Sequence, residues 1–261
     1  MTIIRNIIVA FATYSRIPMP VIDIRKEDMQ YSIAFLPLVG LVISLVEYGI
    51  IYLSDIIGLP VVARAALWMF IPIAITGGFH IDGYMDTTDA LRSYKPRQDK
   101  LEILKDPHIG AFAVISLAAY GLIYYAGTIV VLEPAKDYRV IICTAAGFYI
   151  ARCCASIVSL TMKHAKDTGM LHVETVRTNR ITLYISVAEL VIGMALLCYM
   201  SITACVIQMV VLPVFSVWYR QKMNREFGGI TGDTVGYYLV MAELFILIGM
   251  AFMITVIGVR A

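Results

Sequence analysis

Hydrophobic residues in this chain occur in long, nearly uninterrupted runs rather than in the alternating or amphipathic patterns of a water-soluble domain. A helix needs about 20 mostly apolar residues to cross a bilayer, and seven runs are close to that length. They cover residues 32–53, 61–78, 109–132, 140–160, 181–200, 202–219 and 236–258. A shorter apolar run at 3–14 is more typical of an interfacial or re-entrant helix. The pattern predicts an all-α, polytopic integral membrane bundle with about seven transmembrane helices.

The composition leads to the same class. Of the 261 residues, 60% are hydrophobic and 15% are charged, and the mean hydropathy is +0.80. A soluble domain is closer to about half apolar and a quarter charged. No linker, low-complexity tract or repeat divides the chain, so we expect one integral membrane domain over residues 1–261. The net charge of +2 and the lack of a basic run predict contact with the lipid bilayer and no nucleic-acid partner.

The distribution of basic residues predicts how the chain is oriented. Connections rich in Lys and Arg are residues 1–31, 79–108, 161–180 and 220–235. Connections poor in them are residues 54–60 and 133–139, and the two kinds alternate along the chain. Because loops rich in Lys and Arg stay in the cytoplasm, we expect a multi-pass protein of the cell (inner) membrane with a cytoplasmic N-terminus. The polar clusters, and with them the active site, should then lie at the cytoplasmic face.

The main candidate for chemistry is the stretch GGFHIDGYMDTTDA at residues 77–90, which begins where an apolar run ends. Asp82, Asp86 and Asp89 have the spacing that puts side chains on one face of a helix. Neighbouring carboxylates repel one another unless a cation or protons intervene, and Mg²⁺ prefers oxygen ligands. We therefore predict a magnesium site at these aspartates, with a solvated amphipathic helix as the alternative. His80 fits a catalytic and a structural role equally well.

A second acidic pair follows in LEILKDPHIGAF, residues 101–112. Glu102 and Asp106 have the i, i+4 spacing of one helix face, and Pro107 should end that helix. The pair could add ligands to the metal, although an ordinary exposed helix face has the same spacing.

Positive side chains are expected near a site that holds phosphates, because they neutralise charge in the transition state. Candidates on the predicted cytoplasmic side are Arg16, Arg152, Lys163 and Lys166. Arg152 lies within an apolar run, where a charge is costly and usually faces a partner or a cavity. The alternative for Arg152 is a buried ion pair with Glu243 that only fixes helix packing.

The last basic connection, REFGGITGDTVGYY at residues 225–238, is rich in glycine and small polar residues. Gly229, Thr231 and Asp233 lie near the expected start of the final helix. Free N–H groups at a helix N-terminus bind anions such as phosphate. Since this turn returns to the same face as the aspartates, we expect it to help bind the substrate.

Together these motifs resemble the cobalamin synthase family over nearly the whole chain. SRIPMP (15–20) is similar to an early Arg-Ile-Pro-x-Pro motif, and FLPLVG (35–40) to a Pro-x-x-Gly motif. Residues 77–90 are similar to the central Gly-Gly-x-His-x-Asp-Gly-x-x-Asp-Thr-x-Asp motif, which is the most specific of these. Later blocks of the family are matched at 102–112, Arg152 and 228–236.

The resemblance implies an adenosylcobinamide-GDP ribazoletransferase that joins α-ribazole, or its 5′-phosphate, to adenosylcobinamide-GDP with release of GMP. Mg²⁺ is the implied cofactor. On this hypothesis Asp82, Asp86 and Asp89 bind one or two Mg²⁺ ions, and one of them or His80 accepts the proton of the ribazole hydroxyl. Asp106 completes or orients the metal shell. The residues expected to bind substrate are Arg16, Arg152, Lys166, Gly229, Thr231 and Asp233.

Two other classes of membrane protein are weaker alternatives. A CDP-alcohol phosphatidyltransferase-like enzyme also clusters aspartates, but its Asp-Gly-x-x-Ala-Arg pattern fails here, where Asp86 and Thr87 follow. A secondary transporter would place coupling charges near the bilayer midplane in inverted repeats, whereas the clusters here lie at one face. Further partners to consider are a second copy of the chain and other proteins of the cobalamin pathway.

Overall fold

The computed structural model describes residues 2–24, 26–29, 31–133, 138–166, 169–175 and 180–257. These residues are mostly helical, and no β-strand forms within those ranges. The helices are α1 (Thr2–Tyr14), α2 (Lys26–Met29), α3 (Leu36–Ile56), α4 (Val61–Thr76), α5 (Phe79–Arg92), α6 (Arg97–Ile103), α7 (Ala111–Leu132), α8 (Tyr138–Thr161), α9 (Met170–Thr175), α10 (Arg180–Met200), α11 (Ile202–Glu226) and α12 (Gly232–Phe252). A 3₁₀ turn (Ser32–Phe35) precedes α3, and a π-helical turn (Met253–Ile257) follows α12. The all-α prediction is confirmed.

Six helical segments in the described ranges are long and apolar enough to cross a membrane. They are Ser32–Ile56, Ala111–Leu132, Tyr138–Thr161, Arg180–Met200, Ile202–Glu226 and Gly232–Val256. Each matches one of the predicted spans. The remaining predicted span, 61–78, corresponds to α4, which has 16 residues. It is long enough to cross a membrane only if α5 is counted with it, and the two helices are bent by 96° relative to each other. The predicted count of about seven is therefore confirmed as six, or seven with the bent pair.

Two consecutive glycines mark the bend between α4 and α5. Gly77 and Gly78 have φ values of 68° and 80°, in the left-handed region that glycine enters without the steric penalty of a Cβ. The sequence changes character at the same point, because α4 is almost entirely apolar and α5 carries the three aspartates. The chain therefore leaves the direction of α4 where its side chains become polar.

The buried centre of the bundle is α8, which packs against α3, α10 and α12. Of its apolar window 72% is buried inside the protein, against 22% for α10. Gly40 explains the close contact with α3, since a Cβ there would lie 2.5 Å from the Phe148 carbonyl oxygen. The Pro-x-x-Gly motif at 35–40 thus serves helix packing.

The short apolar run at 3–14 forms α1, so the predicted helix is confirmed. Val9 and Ala10 are fully buried, whereas Ile3 and Ile4 each expose 66% of their surface. The location of α1 at a membrane interface stays a prediction.

All four Lys- and Arg-rich connections contribute to two adjoining pockets. Arg16 lines one of them, and Lys105, Lys166 and Thr231 line the other. If these four connections lie on the same side of the membrane, their residues must be able to meet in this way. Three of the basic residues counted for the orientation, Arg25, Lys136 and Arg177, lie outside the described residues.

Candidate active site

Helix α5 carries Asp82, Asp86 and Asp89, so the prediction that they share one helix is confirmed. Asp82 lies in the first turn and is exposed, whereas the other two are partly buried. Asp86 is within electrostatic reach of both neighbours and of Asp233 from α12. Seven residues of helix span about 10 Å along the axis, so the carboxylates form a row of negative charge rather than one compact cluster.

Close backbone contact between α5 and α12 brings Asp233 beside this row. A Cβ on Gly83 would lie 2.7 Å from the Asp233 carbonyl oxygen and 2.9 Å from its Cα. On α12, a Cβ on Gly236 would lie 3.0 Å from the His80 carbonyl oxygen. These two glycines therefore set the distance between the helices that carry the acidic residues.

Thr231 fixes the start of α12. Its hydroxyl accepts a hydrogen bond from the Thr234 N–H at 3.3 Å, and the Thr234 hydroxyl accepts one from the Thr231 N–H at 2.8 Å. This reciprocal capping box satisfies backbone donors at the helix end. The Thr231 hydroxyl also donates to Asp233 Oδ2 at 3.4 Å. Asp233 lies in the first turn, where the helix dipole favours negative charge.

Acidic and basic side chains line a common pocket of about 330 Å³, which we call the lysine pocket. Its lining residues are Phe79, Asp82, Gly83, Leu104, Lys105, His164, Lys166, Gly169, Leu171, His172, Ile230, Thr231, Gly232 and Asp233. The volume is at the lower end of the range for small-molecule sites, about 300–1,000 Å³. Two carboxylates and two ammonium groups thus border one space.

Lys166 is held in place by a hydrogen bond from its Nζ to the Leu101 carbonyl oxygen, 3.0 Å long. Burial lowers the pKa of its ammonium group, Lys105 lowers the pKa further, and Asp233 opposes both effects. A partly desolvated ammonium group gains more from a bound anion than one surrounded by water, since the local dielectric constant is lower.

Gly229 supports the lysine pocket without lining it. A Cβ on Gly229 would overlap the Lys163 carbonyl oxygen. The next residue, Ile230, donates to that same oxygen at 2.9 Å and accepts from the Ala165 N–H at 2.9 Å. These bonds hold the turn before α12 against the segment that carries Lys166.

Asp89 lies at the far end of the row, against the start of α7. A Cβ on Gly110 would overlap both carboxylate oxygens of Asp89. Gly110 is therefore needed for the position of this carboxylate, which is not part of the lysine pocket lining.

The donor set fits Mg²⁺ in its chemistry, because carboxylate oxygens are the ligands this ion prefers. Within the described residues, no three His, Cys, Asp or Glu side chains are arranged to hold a metal by themselves. Mg²⁺ usually takes one or two carboxylates and fills its shell with water and substrate phosphates. Asp82 and Asp233 border one space and can meet that requirement, with Asp86 next along α5. The magnesium site stays a prediction.

Arg16 does not line the lysine pocket, but it shares Asp82 as a pocket neighbour with the lysines. It lines a second pocket of about 510 Å³, which we call the Arg16 pocket, with Thr13, Ser15, Thr76, Gly77, Gly78, Phe79, Ile81, Asp82 and Met85. The Arg16 backbone N–H donates to the Ile75 carbonyl oxygen at 2.7 Å, and its side chain lies across Gly77. Phe79 and Asp82 belong to the linings of both pockets.

His80 and Arg152 lie inside the bundle and line neither pocket. They expose only 7% and 1% of their surfaces and border a small cavity of about 50 Å³. Arg152 Nη1 donates to Glu243 Oε1 at 2.8 Å and to the Phe148 carbonyl oxygen at 2.9 Å. The buried ion pair, which was the alternative for Arg152, is the arrangement observed.

The prediction that Glu102 and Asp106 share a helix face is wrong. Helix α6 ends at Ile103, four residues before Pro107, so Asp106 lies in a loop. Its Oδ1 accepts from the His108 N–H at 3.0 Å and lies 2.6 Å from His108 Nδ1. The hydrogen bonds from the His108 backbone and ring lower the pKa of this exposed carboxyl group. Asp106 lines neither pocket, and its role as a metal ligand stays a prediction.

The aromatic and basic residues of the lysine pocket that the sequence did not point to are Phe79, Lys105, His164 and His172. The two histidine rings are 5.7 Å apart and edge to face, and His164 Nε2 lies 2.9 Å from Thr175 Oγ1. The available indication was that both histidines occur in the basic connection 161–180.

The fold and the two pockets together indicate the class of protein to which the chain belongs. The chain is a polytopic helical membrane protein in which aspartates at a helix break meet lysines from neighbouring loops, an arrangement suited to binding phosphates.

Comparison with known proteins identifies the family. Residues 6–251 match the family model for cobalamin-5-phosphate synthase, so the chain belongs to that family, as its motifs indicated, and is an enzyme of cobalamin synthesis. An adenosylcobinamide-GDP ribazoletransferase of Lachnoclostridium phytofermentans is 36% identical over 240 residues, 90% of this chain and 89% of the relative. Enzymes of the same name from Clostridium perfringens and Clostridium tetani are each 30% identical, covering 88% and 94% of this chain and 90% and 95% of theirs. No solved structure matches the chain.

Proposed function

We propose that this chain is an adenosylcobinamide-GDP ribazoletransferase that joins α-ribazole, or its 5′-phosphate, to adenosylcobinamide-GDP and releases GMP. The observation that carries the proposal is the lysine pocket, where Asp82 and Asp233 border the same space as Lys105 and Lys166 in a member of this family. A diphosphate needs both kinds of group, cations for its charge and carboxylates for a metal and a proton.

The reaction is a phosphoryl-group transfer to an alcohol. A hydroxyl oxygen of the ribazole ribose bonds to the phosphorus that carries cobinamide, and the bond from that phosphorus to the bridging oxygen breaks. The bridging oxygen keeps the bonding electrons and leaves as part of GMP. The hydroxyl proton passes to a base on the protein.

When bound, Mg²⁺ would supply positive charge that offsets the diphosphate and stabilises the leaving phosphate. Asp82 and Asp233 would hold it from the lysine pocket, and Asp86 and Asp89 would extend the acidic row. Lys105 and Lys166 would bind the phosphate oxygens and keep the diphosphate in place for attack.

A carboxylate of α5 is the best candidate for the proton acceptor. Asp82 is exposed and borders both pockets, and Asp86 follows it on the same helix. His80 is buried and lines neither pocket, so a hydroxyl bound in either pocket would not meet it directly. Its role is better sought in the packing of the start of α5.

We also propose a cellular location and a membrane orientation for the protein. The alternation of basic and neutral connections supports a multi-pass protein of the cell (inner) membrane with a cytoplasmic N-terminus. Both pockets would then open toward the cytoplasm. Labelling of single cysteines introduced at Ser15 and Gly58, in intact and in opened cells, would test this orientation.

The experiment that tests the function measures GMP release by purified protein from adenosylcobinamide-GDP and either acceptor, across Mg²⁺ concentrations. We expect activity in the wild type and a loss of about a hundredfold or more in Asp82→Asn, with a higher Mg²⁺ requirement. Asp99→Asn is the matched control, because this exposed carboxylate on α6 lines neither pocket.

Near-normal activity in both Asp82→Asn and Asp86→Asn would overturn the metal assignment. A wild-type protein that releases no GMP, and that does not restore growth of a cobalamin-requiring strain lacking its own synthase, would overturn the function itself.

A further inference from the structure

We propose that the Arg16 pocket is the acceptor site of the enzyme and that Arg16 selects the 5′-phosphorylated form of α-ribazole. The inference rests on the proposed function and assigns each of its two substrates to a pocket. The lysine pocket would hold the GMP part of adenosylcobinamide-GDP, with the diphosphate at Asp82.

The two pockets meet at the residues that a two-substrate reaction would use. Phe79 and Asp82 are the residues common to both linings. A transfer reaction needs the acceptor hydroxyl and the reacting phosphorus about 3 Å apart, and two separate substrates achieve this where their binding spaces adjoin. Asp82 at the boundary is exposed and belongs to the acidic row.

The chemistry of the linings decides which substrate binds where. The lysine pocket contains Lys105 and Lys166 and the first turn of α12, and its two histidines add further nitrogen donors. GMP leaves as a phosphate monoester, which carries more negative charge than the phosphodiester that forms, so this more basic pocket suits the leaving group.

The Arg16 pocket has a different character. Besides Arg16 and Asp82 its side chains are neutral, and they include the hydroxyl groups of Thr13, Ser15 and Thr76 and apolar groups such as Ile81 and Met85. Such a lining suits a nucleoside with a flat apolar base and ribose hydroxyls.

Arg16 is the cation that this pocket offers to a phosphate. The ion pairs formed among the described residues do not include it. Its backbone is fixed by the bond to Ile75, and its side chain lies across Gly77, where a Cβ would collide with it. A guanidinium group binds phosphate in a forked, two-bond geometry, so Arg16 would recognise the single phosphate by which the two acceptors differ.

The test compares the two acceptors in steady-state kinetics of GMP release. For Arg16→Gln we expect the KM of α-ribazole 5′-phosphate to rise about tenfold or more, with less than about a twofold change for α-ribazole. The KM of adenosylcobinamide-GDP should stay at the wild-type value. Lys166→Gln should show the reverse, a raised KM for adenosylcobinamide-GDP and unchanged values for both acceptors.

Two further variants keep the result interpretable. Arg16→Lys retains a positive charge and should recover most of the affinity for the phosphorylated acceptor. Arg220→Gln on α11 removes an arginine that lines neither pocket and should behave as the wild type. Thermal unfolding in detergent checks that each variant is folded.

The proposal is overturned if Arg16→Gln raises the KM of both acceptors equally, or raises that of adenosylcobinamide-GDP instead. It is also overturned if Lys166→Gln affects the acceptors. Failure of the underlying function looks different, because the wild type would then release no GMP with either acceptor.

Discussion

Arg152 and Glu243 form an ion pair inside the helix bundle, with Nη1 and Oε1 2.8 Å apart. Arg152 is 1% exposed and also donates to the Phe148 carbonyl oxygen one turn earlier on α8. The pair joins α8, the central helix, to α12, whose first turn carries Asp233. An arginine in an otherwise apolar run thus serves first to fix two helices relative to each other.

The ion pair makes a prediction about single and double substitutions. Arg152→Met alone leaves Glu243 as an uncompensated buried charge, and such a change costs about 3–5 kcal/mol. The double variant Arg152→Met, Glu243→Met removes both charges and should recover most of the thermal stability in detergent. Because Arg152 lines neither pocket, we expect the double variant to recover most of the GMP-release activity as well. Recovered stability with activity still absent would instead assign Arg152 to the substrate.

Gly83 offers a second prediction, about the contact between α5 and α12. In Gly83→Ala the new Cβ meets the backbone of Asp233, which cannot rotate away, so the two helices must separate. We expect a stability loss of about 1–3 kcal/mol, typical of overpacking, and a larger loss of activity because Asp82 and Asp233 move apart.

A matched control for this substitution is Gly49→Ala on α3. A Cβ there has no atom within 4 Å, and alanine favours a helix over glycine by about 1 kcal/mol. The control should therefore be as stable as the wild type or more so. Equal effects of the two substitutions would show that the α5–α12 contact does not matter.

Much of the fold follows from the sequence, because a helix that crosses a bilayer must be both long and apolar. The runs at 109–132 and 140–160 become α7 and α8 with small shifts at their ends. The run at 61–78 predicts the span that becomes α4, and its terminal glycines allow a break before the acidic helix, but composition does not give the 96° angle between the two helices. After a Gly-Gly pair a helix can continue, end or change direction. Here the packing of α5 on α12 selects the change of direction.

Site residues whose position follows from the local sequence could be predicted. Residues whose role depends on the direction of the side chain in the fold could not. Asp82 was predicted from its spacing with Asp86 and Asp89, and Asp233 from its place near the start of the final helix; both line the lysine pocket. Spacing alone could not show that Arg152 points into the bundle. Lys105 was missed because a lysine in a connecting loop has no distinguishing pattern until the fold brings it beside Lys166.

Glu174 supports a third prediction. This residue of α9 is 2% exposed, and its Oε1 accepts hydrogen bonds from the Tyr14 hydroxyl at 2.8 Å and the Ser32 hydroxyl at 3.1 Å. Its neighbours Leu171 and His172 line the lysine pocket, so these bonds anchor that wall of the pocket to α1. Glu174→Ala leaves the buried Tyr14 hydroxyl without its acceptor, at about 1–3 kcal/mol, whereas the Ser32 hydroxyl can still donate to the Met29 carbonyl oxygen at 2.7 Å. Faster deuterium uptake in α9 would report the loss of the anchor.

The same residue predicts a pH dependence. Burial raises the pKa of Glu174 from 4.5 to about 7. A group with a raised folded-state pKa contributes stability that is full below about pH 4.5 and is lost as the pH rises through about 7. Glu174→Gln keeps the accepting oxygen but does not titrate, so its thermal stability should fall less between pH 5 and pH 8. Equal losses in the variant and the wild type would contradict this assignment.

Lys166 gives the fifth prediction, which concerns the alkaline side of the activity profile. Burial and the neighbouring Lys105 lower the pKa of its ammonium group, so it loses its charge at a lower pH than an ordinary lysine. The profile of kcat/KM against pH reports groups of the free enzyme. If Lys166 binds substrate phosphate, kcat/KM for adenosylcobinamide-GDP should fall as the pH rises through that lowered pKa.

Arginine at position 166 separates this effect from other alkaline losses. A guanidinium group stays protonated to about pH 12 or beyond, so in Lys166→Arg the fall in kcat/KM should move to higher pH. Lys95→Arg, in the exposed turn after α5, is the matched control and should keep the wild-type profile. Lysine and arginine at position 166 carry the same charge below the pKa of Lys166 and differ in charge only above it. Superimposable profiles for Lys166→Arg and the wild type would therefore show that another group causes the alkaline loss.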